Sequence, residues 1–259
     1  MQVRPEPELS TLQNEILEAV ATGIAFFEVA DTLCRRAEAL APDISCTIAA
    51  IDAEGLIHPI AGPSLPRSYG EAIDGLPIGP DAGSCGTAAY FGIPVEVTDI
   101  DADYRWERYK GLVLPLGLRA CWSSPIKSPE GRVGGTFAFY YREPRGPSVM
   151  ERQLVDTCVH LCSIAMERNE VSRRMQHLAY HDQLTGLSNR YAFDEAVAEN
   201  MTAPRQNFGL LMLDIDNMKE VNDNMGHSVG DGMICEVGRR LASAGAGVTV
   251  YRLGGDEFA

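Results

Sequence analysis

The sequence predicts two domains joined by a long helix: an α+β domain comes first and an α/β domain follows. Two pairs of short strands, each around a turn and flanked by helical patterns, indicate the α+β domain. A helical pattern that starts at Pro147-Ser148 and runs to about Tyr180 indicates the connection. After His181, helix and strand patterns alternate, which is typical of an α/β sheet with crossover helices.

The first domain combines two helices, two hairpins and a long loop-rich connection. Apolar residues recur at helical spacing from Leu9 to Ala41, and the pattern breaks near Thr22-Gly23, which predicts two helices. The strands of the two hairpins are predicted at Ile44–Ile51, Leu56–Ala61, Ala120–Ile126 and Val133–Tyr141. Because the connection from Gly62 to Leu118 is so long, we expect a ligand pocket beneath its loops.

The connecting helix has a seam of small and apolar residues at Leu154, Cys158, Leu161 and Ala165. Such a seam pairs two helices or packs on the sheet of its own domain, and both interpretations stay open because the pattern weakens after Arg168. A second domain begins near residue 175. Its helix, strand, helix and strand are predicted at Tyr191–Ala198, Phe208–Leu213, Met233–Ala242 and Val248–Arg252.

Composition excludes several classes of partner. The net charge of −14 argues against nucleic acid or an anionic membrane surface, since both attract a basic face. The first residues lack a basic region followed by an apolar run, and no apolar stretch has the length of a membrane span. The seven cysteines have no regular spacing, which fits reduced thiols. We therefore expect a cytoplasmic protein without a membrane or nucleic-acid partner.

Carboxylates follow two strands of the second domain, at the point where each strand ends. The buried-strand pattern Leu210–Leu213 leads into Asp214-Ile215-Asp216, and the strand Val248–Leu253 leads into Gly254-Gly255-Asp256-Glu257, where the glycines permit a tight turn. If the two strands are neighbours, Asp214, Asp256 and Glu257 converge. Such an oxygen-rich site suits Mg²⁺ or Mn²⁺ together with substrate phosphates.

Four motifs in the last third of the chain have a family resemblance. They are Asp-Gln-Leu-Thr-Gly-Leu-Ser-Asn-Arg at 182–190, Asp-Ile-Asp-Asn-Met-Lys-Glu-Val-Asn-Asp at 214–223, Gly-His-Ser-Val-Gly-Asp at 226–231 and Gly-Gly-Asp-Glu-Phe at 254–258. In order and spacing they resemble the GGDEF-type diguanylate cyclase domain. The resemblance implies an incomplete α/β domain at 175–259, because the family domain continues for roughly as many residues again. We therefore expect that these 259 residues alone do not make cyclic di-GMP.

The resemblance also implies a reaction and its residues. A GTP molecule on each protomer of a homodimer would be joined to the other, giving cyclic di-GMP and pyrophosphate, with two Mg²⁺ or Mn²⁺ ions per GTP to offset developing charge. By resemblance, Asp256 and Lys219 are catalytic, Asp214, the Ile215 carbonyl, Asp256 and Glu257 bind metal, and Asn222, His227 and Asp231 bind or border guanine.

Some of these motif residues have simpler interpretations. Asp216 and Asp223 are favoured as helix-starting acids that bind no ligand. His227 is equally consistent with a plain turn residue. Asp182 has the sequence position of a cap for the next helix.

Three segments of the first domain, Pro80–Ala89, Gly117–Ile126 and Gly134–Ala138, together resemble the GAF sensor family. The resemblance covers about residues 23–168, after a helix at 1–22, and implies that residues 148–180 form a signalling helix. GAF domains bind chemically diverse small molecules, so the ligand stays unknown.

Cys85 and Cys121 are candidate sensor-pocket thiols. Cys85 precedes a predicted helix, whose N-terminal field would lower its pKa, and Cys121 lies on a strand that faces the same region. We favour two small pocket-lining residues over a redox pair, although a related GAF branch reduces free methionine sulfoxide with paired cysteines. Three hypotheses follow: a GAF-regulated diguanylate cyclase, a non-enzymatic sensor or dimerisation fragment, and a thiol-based methionine sulfoxide reductase.

Overall fold

The structure is a computed structural model that describes residues 6–202, 208–244 and 248–259. The chain divides into two units, Met1–Glu170 and Val171–Ala259. Among the described helices, none combines the length and apolar character that crossing a membrane requires.

The first unit is built on a six-stranded antiparallel sheet in the order β3-β2-β1-β6-β5-β4. Its strands are β1 Ile44–Ile51, β2 Leu56–Ala61, β3 Leu76–Pro77, β4 Val95–Val97, β5 Ala120–Lys127 and β6 Val133–Tyr141. Both predicted hairpins are confirmed, because β1 pairs with β2 and β5 with β6. The central β1–β6 pairing runs from Ile44 opposite Tyr141 to Ala50 opposite Gly135, and it joins the two hairpins into one sheet.

Helices and loops cover both faces of this sheet. They are α1 Glu6–Thr22, α2 Phe26–Leu40, α3 Arg67–Ile73, α4 Gly83–Phe91, α5 Lys110–Val113 and α6 Val149–Tyr180, with short 3-10 turns at Tyr104–Trp106 and Leu114–Leu116. Gly23, at φ +88°, separates the two helices predicted between Leu9 and Ala41.

Alternation along β6 divides the buried core between the two faces. Phe137, Phe139 and Tyr141 pack with residues of α1, α2 and α6, whereas Ala138 and Tyr140 pack with residues of α4, β4 and the loops that follow. Because both faces of the sheet are buried, β5 has apolar or small residues along nearly its whole length instead of an alternation of apolar and polar residues.

The seam of α6 packs within its own unit. Leu154, Cys158, Leu161 and Ala165 are all buried in the cluster that contains α1, α2 and the sheet. This packing favours the interpretation that these four residues pack on the sheet of their own domain rather than pair two helices.

A reciprocal capping box starts α6 at the predicted place. The Ser148 Oγ accepts a hydrogen bond from the Glu151 backbone N–H at 3.3 Å, and the Ser148 N–H donates to Glu151 Oε2 at 2.6 Å. Glu151 also forms a bidentate ion pair with Arg145, at 2.8 and 2.9 Å.

The second unit combines helices with a small antiparallel sheet in the order β7-β9-β8. Its elements are α7 Arg190–Thr202, β7 Leu213–Asp214, α8 Met218–Met225, α9 His227–Ser243, β8 Arg252–Gly254 and β9 Glu257–Phe258. Met218, Ile234 and Phe258 form its buried core.

The predicted strand Phe208–Leu213 is wrong over most of its length. Only Leu213–Asp214 is strand, and Leu210, Leu211 and Met212 are exposed rather than buried. The predicted strand Val248–Arg252 likewise shrinks to Arg252–Gly254. Both strands pair only with the two-residue β9 among the described residues, so the ladder that would hold longer strands does not form.

Candidate functional site

The glycine-rich signature of the second unit forms the turn between β8 and β9. Gly254 and Gly255 have φ of +137° and +56°, in the region that side chains with a Cβ rarely adopt, so the turn depends on both glycines. The turn sets Asp256 and Glu257 beside β7, because Asp214 pairs with Glu257 and the Ile215 N–H donates to the Asp256 carbonyl at 3.3 Å. The two acidic segments therefore lie side by side, although the strands that precede them are not neighbours as expected, because β9 lies between β7 and β8.

Two arginines hold this hairpin in place. Arg252 donates to the Gly255 carbonyl at 2.8 Å and to Asp182 Oδ1 at 2.7 Å. Arg190 donates to the Leu253 carbonyl at 2.8 Å and to Glu257 Oε2 at 3.0 Å. Neither arginine was assigned a role from the sequence, although a basic residue two positions before a glycine pair was an available signal.

The carboxylates near Asp214 repel one another. Asp256 raises the pKa of Asp214, desolvation adds to this effect, and Glu257 and Asp216 raise it further. A carboxylate whose charge is disfavoured by its neighbours is stabilised by a bound cation. The donor set and its charge therefore fit a divalent cation, although the described side chains contain no preassembled group of three acidic, histidine or cysteine ligands.

The residues expected at guanine lie on α8 and α9. Asn222 packs so closely on Gly230 that a Cβ at this glycine would collide with Asn222 Oδ1. That oxygen is buried and has no hydrogen-bond partner among the described residues. Asp231, next to Gly230, is exposed, as is His227 at the start of α9. The structure thus packs Asn222 against Gly230, the chain neighbour of Asp231, and leaves the Asn222 Oδ1 acceptor unpaired.

Other predicted residues of the second unit have clear positions. Lys219 is exposed on α8, and Asp216 and Asp223 are exposed as well. The expectation that Asp182 caps a helix is wrong, because α7 begins only at Arg190. Asp182 instead closes a turn by accepting from the Thr185 N–H at 2.9 Å and the Thr185 hydroxyl at 2.7 Å.

The first unit contains a cavity of about 370 Å³ under the loops between its hairpins. It lies between β1 and β2, α3 and the start of α4, and its lining is mainly apolar. At one end, the Tyr69 and Tyr140 hydroxyls are 2.7 Å apart, and the Cys85 Sγ is 3.8 Å from the Tyr140 hydroxyl. Trp106 closes this end, since its Nε1–H donates to Ser84 Oγ at 3.1 Å.

Only one of the two candidate thiols, Cys85, lines the cavity, whereas Cys121 is fully buried on β5 and pairs with Tyr140. Cys121 is the first cause of a lowered pKa at Cys85, and Ser123, Tyr140 and Thr136 contribute in the same direction. Burial raises the pKa of Cys121 itself. The sequence expected a lowered pKa at Cys85 from a helix N-terminus, and hydrogen bonds are the cause found here.

His58 links the rim of the cavity to the β1–β2 turn. Its Nδ1 is 2.8 Å from Asp74 Oδ1, at the end of α3, and its Nε2 is 2.9 Å from Asp52 Oδ2. The hydrogen bond to Asp52, followed by the one to Asp74, raises the pKa of His58. The hydrogen bond between His58 and Asp52 also lowers the pKa of Asp52.

Replacement of His58 by glutamine should therefore lower the melting temperature in a pH-dependent way. A raised histidine pKa contributes stability below the unfolded pKa of about 6.5, and this stability is lost as pH rises through the folded value. The lowered pKa of Asp52 contributes above about 3.9. We expect a loss of roughly 1–3 °C at pH 5.5 and a smaller loss at pH 8.5, by differential scanning fluorimetry. His160→Gln, at an exposed histidine of α6, is the control, and an equal loss for His58→Gln at both pH values contradicts the expectation.

Family comparisons identify both units. A GAF domain model matches residues 25–167, and a model described as diguanylate cyclase, GGDEF domain, matches residues 179–259. The chain belongs to the GAF family. Its last third is a GGDEF segment, shorter than a full GGDEF domain, and both resemblances drawn from the sequence are confirmed.

Relatives of the GAF–GGDEF chain include sensors and diguanylate cyclases. The methyl sulfide methyltransferase-associated sensor of Methanosarcina acetivorans is 32% identical over 222 residues, which are 85% of this chain and 21% of that protein. Diguanylate cyclase DgcN of Escherichia coli (strain K12) is 48% identical over 84 residues, 31% of this chain and 21% of that protein. The chain thus spans about a fifth of the length of these curated relatives.

Solved structures support the fold of the GAF unit. A putative GAF sensor protein from Burkholderia vietnamiensis covers 65% of this chain and 99% of its own length, with a TM-score of 0.53 and 13% identity. The free methionine-R-sulfoxide reductase of Neisseria meningitidis covers 68% of this chain and 96% of its own length, with a TM-score of 0.52 and 16% identity. At these identities the likeness shows the fold alone.

Proposed function

We propose that this chain is the sensory and amino-terminal catalytic part of a GAF-regulated diguanylate cyclase, which converts GTP into cyclic di-GMP and pyrophosphate. The pairing of β7 with the signature hairpin carries the proposal, because it gathers Asp214, Asp256 and Glu257 at one sheet edge with mutual repulsion. The GGDEF segment and the diguanylate cyclase relatives fit this function better than a non-enzymatic fragment or a sulfoxide reductase.

The acids would share the binding of metal ions, and Asp256 would have a second role. Asp214, the Ile215 carbonyl, Asp256 and Glu257 would hold two Mg²⁺ or Mn²⁺ ions per GTP, which supply charge stabilisation for phosphoryl transfer when bound. Asp256 would also accept the proton of the attacking 3′-hydroxyl, while Lys219, exposed on α8, would offset phosphate charge.

Guanine recognition follows from hydrogen-bond complementarity. The guanine edge presents N–H donors beside a carbonyl acceptor, which match the Asp231 carboxylate and the Asn222 amide. Adenine presents an acceptor where guanine has its ring N–H, so Asp231 would face a lone pair without a donor. His227 would border this pocket. The unpaired, buried Asn222 Oδ1 supports the assignment, since such an atom calls for a partner.

We also propose how the chain is organised. The predicted helix at 1–22, of which the structure describes α1, precedes a GAF domain at 23–168, residues 148–180 would act as the signalling helix, and the GGDEF segment would occupy 175–259. A ligand in the GAF cavity would change, through α6, how the GGDEF units of a cytoplasmic homodimer meet, so that the two bound GTP molecules react.

Nucleotide binding tests the proposed substrate. When nucleotide is titrated calorimetrically into the full-length protein in the presence of Mn²⁺, GTP should bind at least about 100-fold more tightly than ATP. Asn222→Ala should reduce this preference by roughly tenfold, because it removes hydrogen bonds that only guanine completes. Asn224→Ala, at an exposed asparagine on the same helix, should retain the preference. Equal affinity for GTP and ATP in the wild type contradicts the proposal.

A further inference from the structure

The Cys85–Cys121 pair occupies a built site within the GAF unit. Cys85 lies in the first turn of α4 and lines the cavity, so that a molecule in the cavity can reach its sulfur. Cys121 lies on β5, is fully buried and pairs across the sheet with Tyr140, whose hydroxyl is 3.8 Å from the Cys85 sulfur. The backbone fixes the two residues together, since Ser84 donates from its hydroxyl to the Cys121 carbonyl at 3.4 Å.

Two buried hydroxyls beside Cys85 have no other task. Ser123 and Thr136 are 0% and 1% exposed, and their Oγ atoms have no hydrogen-bond partner among the described residues. Both contribute to the lowered pKa of Cys85. Because buried hydroxyls are rarely left unpaired, their position points to a charge or an oxygen that forms at this sulfur.

The two thiols are chemically unequal. Cys121 and the surrounding hydroxyls favour the charged form of Cys85 and lower its pKa, whereas burial raises the pKa of Cys121. A thiolate attacks an oxidant faster than a thiol does, and a neighbouring thiol then closes a disulfide. Cys85 therefore has the properties of an attacking residue and Cys121 those of a resolving residue.

The cavity determines which oxidant fits. With about 370 Å³ and a mainly apolar lining, it suits a small uncharged molecule with an apolar body and one polar end. The polar end would lie at the Tyr69–Tyr140 hydroxyl pair, next to Cys85. We propose that Cys85 and Cys121 form a hydroperoxide-reactive site, in which Cys85 reduces an organic hydroperoxide bound in the cavity and then forms a disulfide with Cys121.

The reaction balances without any further reagent. The Cys85 sulfur attacks the outer peroxide oxygen, the O–O bond breaks, and the alkoxide takes the proton given up by Cys85 and leaves as an alcohol. Cys85 is then a sulfenic acid, whose oxygen the Ser123 and Thr136 hydroxyls can bind. The Cys121 sulfur attacks the Cys85 sulfur, the S–O bond breaks, and hydroxide leaves with the Cys121 proton as water. Together, two thiols and a hydroperoxide give a disulfide, an alcohol and water.

The 259-residue chain treated with cumene hydroperoxide tests the site. We expect a mass loss of about 2 Da and a peptide that joins Cys85 to Cys121. The disulfide should form at least about tenfold faster with cumene hydroperoxide than with hydrogen peroxide, because burial of the apolar body favours the former. No Cys85–Cys121 disulfide, or equal rates with both oxidants, overturns the proposal. Reaction with free methionine sulfoxide but not with the hydroperoxide overturns it as well.

Variants separate the two roles. Cys121→Ser should accumulate a sulfenic acid at Cys85 that dimedone traps, and Cys85→Ser should consume no hydroperoxide. Cys235→Ser, at a partly buried thiol of the second unit, should react like the wild type. Dimedone labelling of a residue other than Cys85 in Cys121→Ser contradicts the assignment even if the Cys85 variant fails to fold. None of these outcomes depends on the cyclase activity.

Discussion

Replacement of Asp256 by asparagine, in the polypeptide that the gene encodes, is expected to lower kcat for GTP turnover by at least about 1000-fold. Asparagine keeps the size of the side chain but removes its charge and its capacity to accept the proton of the hydroxyl. The backbone of the turn should persist, because the Asp256 carbonyl and not its side chain bonds to Ile215. Release of pyrophosphate measures the effect.

Asp223→Asn is the matched control for this prediction. Asp223 is an exposed acid of α8, and its loss should change kcat less than about threefold. A large fall for Asp223→Asn together with a small fall for Asp256→Asn would contradict the assignment of the acids. A fall in affinity alone, with kcat unchanged, would place Asp256 in binding rather than in the chemical step.

Replacement of Glu151 by alanine is expected to reduce the free energy of unfolding by about 2–4 kcal/mol. The side chain is 9% exposed, and its loss leaves the Arg145 guanidinium and the Ser148 N–H without their acceptor. Urea denaturation followed by circular dichroism measures the change. Glu143→Ala is the control, because Glu143 is 76% exposed and 3.7 Å from Arg145, and it should cost less than about 0.5 kcal/mol. Equal costs for the two variants would contradict the account of how α6 begins.

The GAF fold could be predicted from the sequence, because in this unit the local residue patterns agree with the burial found in the folded structure. The β1–β2 and β5–β6 hairpins have turn residues at each end and apolar strands, and the structure places them within one residue of the predicted bounds. Ser148 and Glu151 gave the start of α6 by the same agreement, since the capping box is a local signal.

The strands of the GGDEF segment were harder to predict from the sequence, because they form only where a neighbouring strand pairs with them. Leu210, Leu211 and Met212 have a strand-like composition, yet β7 pairs only with the two-residue β9 and most of the run stays irregular and exposed. Its acids were predictable, because a glycine turn and carboxylates at a strand end form a motif. The roles of Arg190 and Arg252 were not, since both depend on carbonyl groups whose direction only the folded hairpin fixes.

The thiol pair shows the same limit in the GAF unit. Cys85 and Cys121 were candidates by position, but the effect of Cys121 on the pKa of Cys85 and the unpaired hydroxyls of Ser123 and Thr136 arise from the packing of α4 on β5 and β6. Spacing along a chain does not encode such packing. The cavity itself was predicted from the long connection, and its apolar character comes from residues spread over the strands, helices and loops of the unit.

The central claim, that the acids of the signature hairpin belong to a diguanylate cyclase, is tested most directly by identifying the product. The full-length protein is incubated with GTP and Mg²⁺, and the products are separated and identified by mass spectrometry. We expect cyclic di-GMP, with two pyrophosphates released for each molecule formed, and no product with Glu257→Gln. GTP left intact under these conditions, or hydrolysed to GDP and phosphate, would contradict the claim.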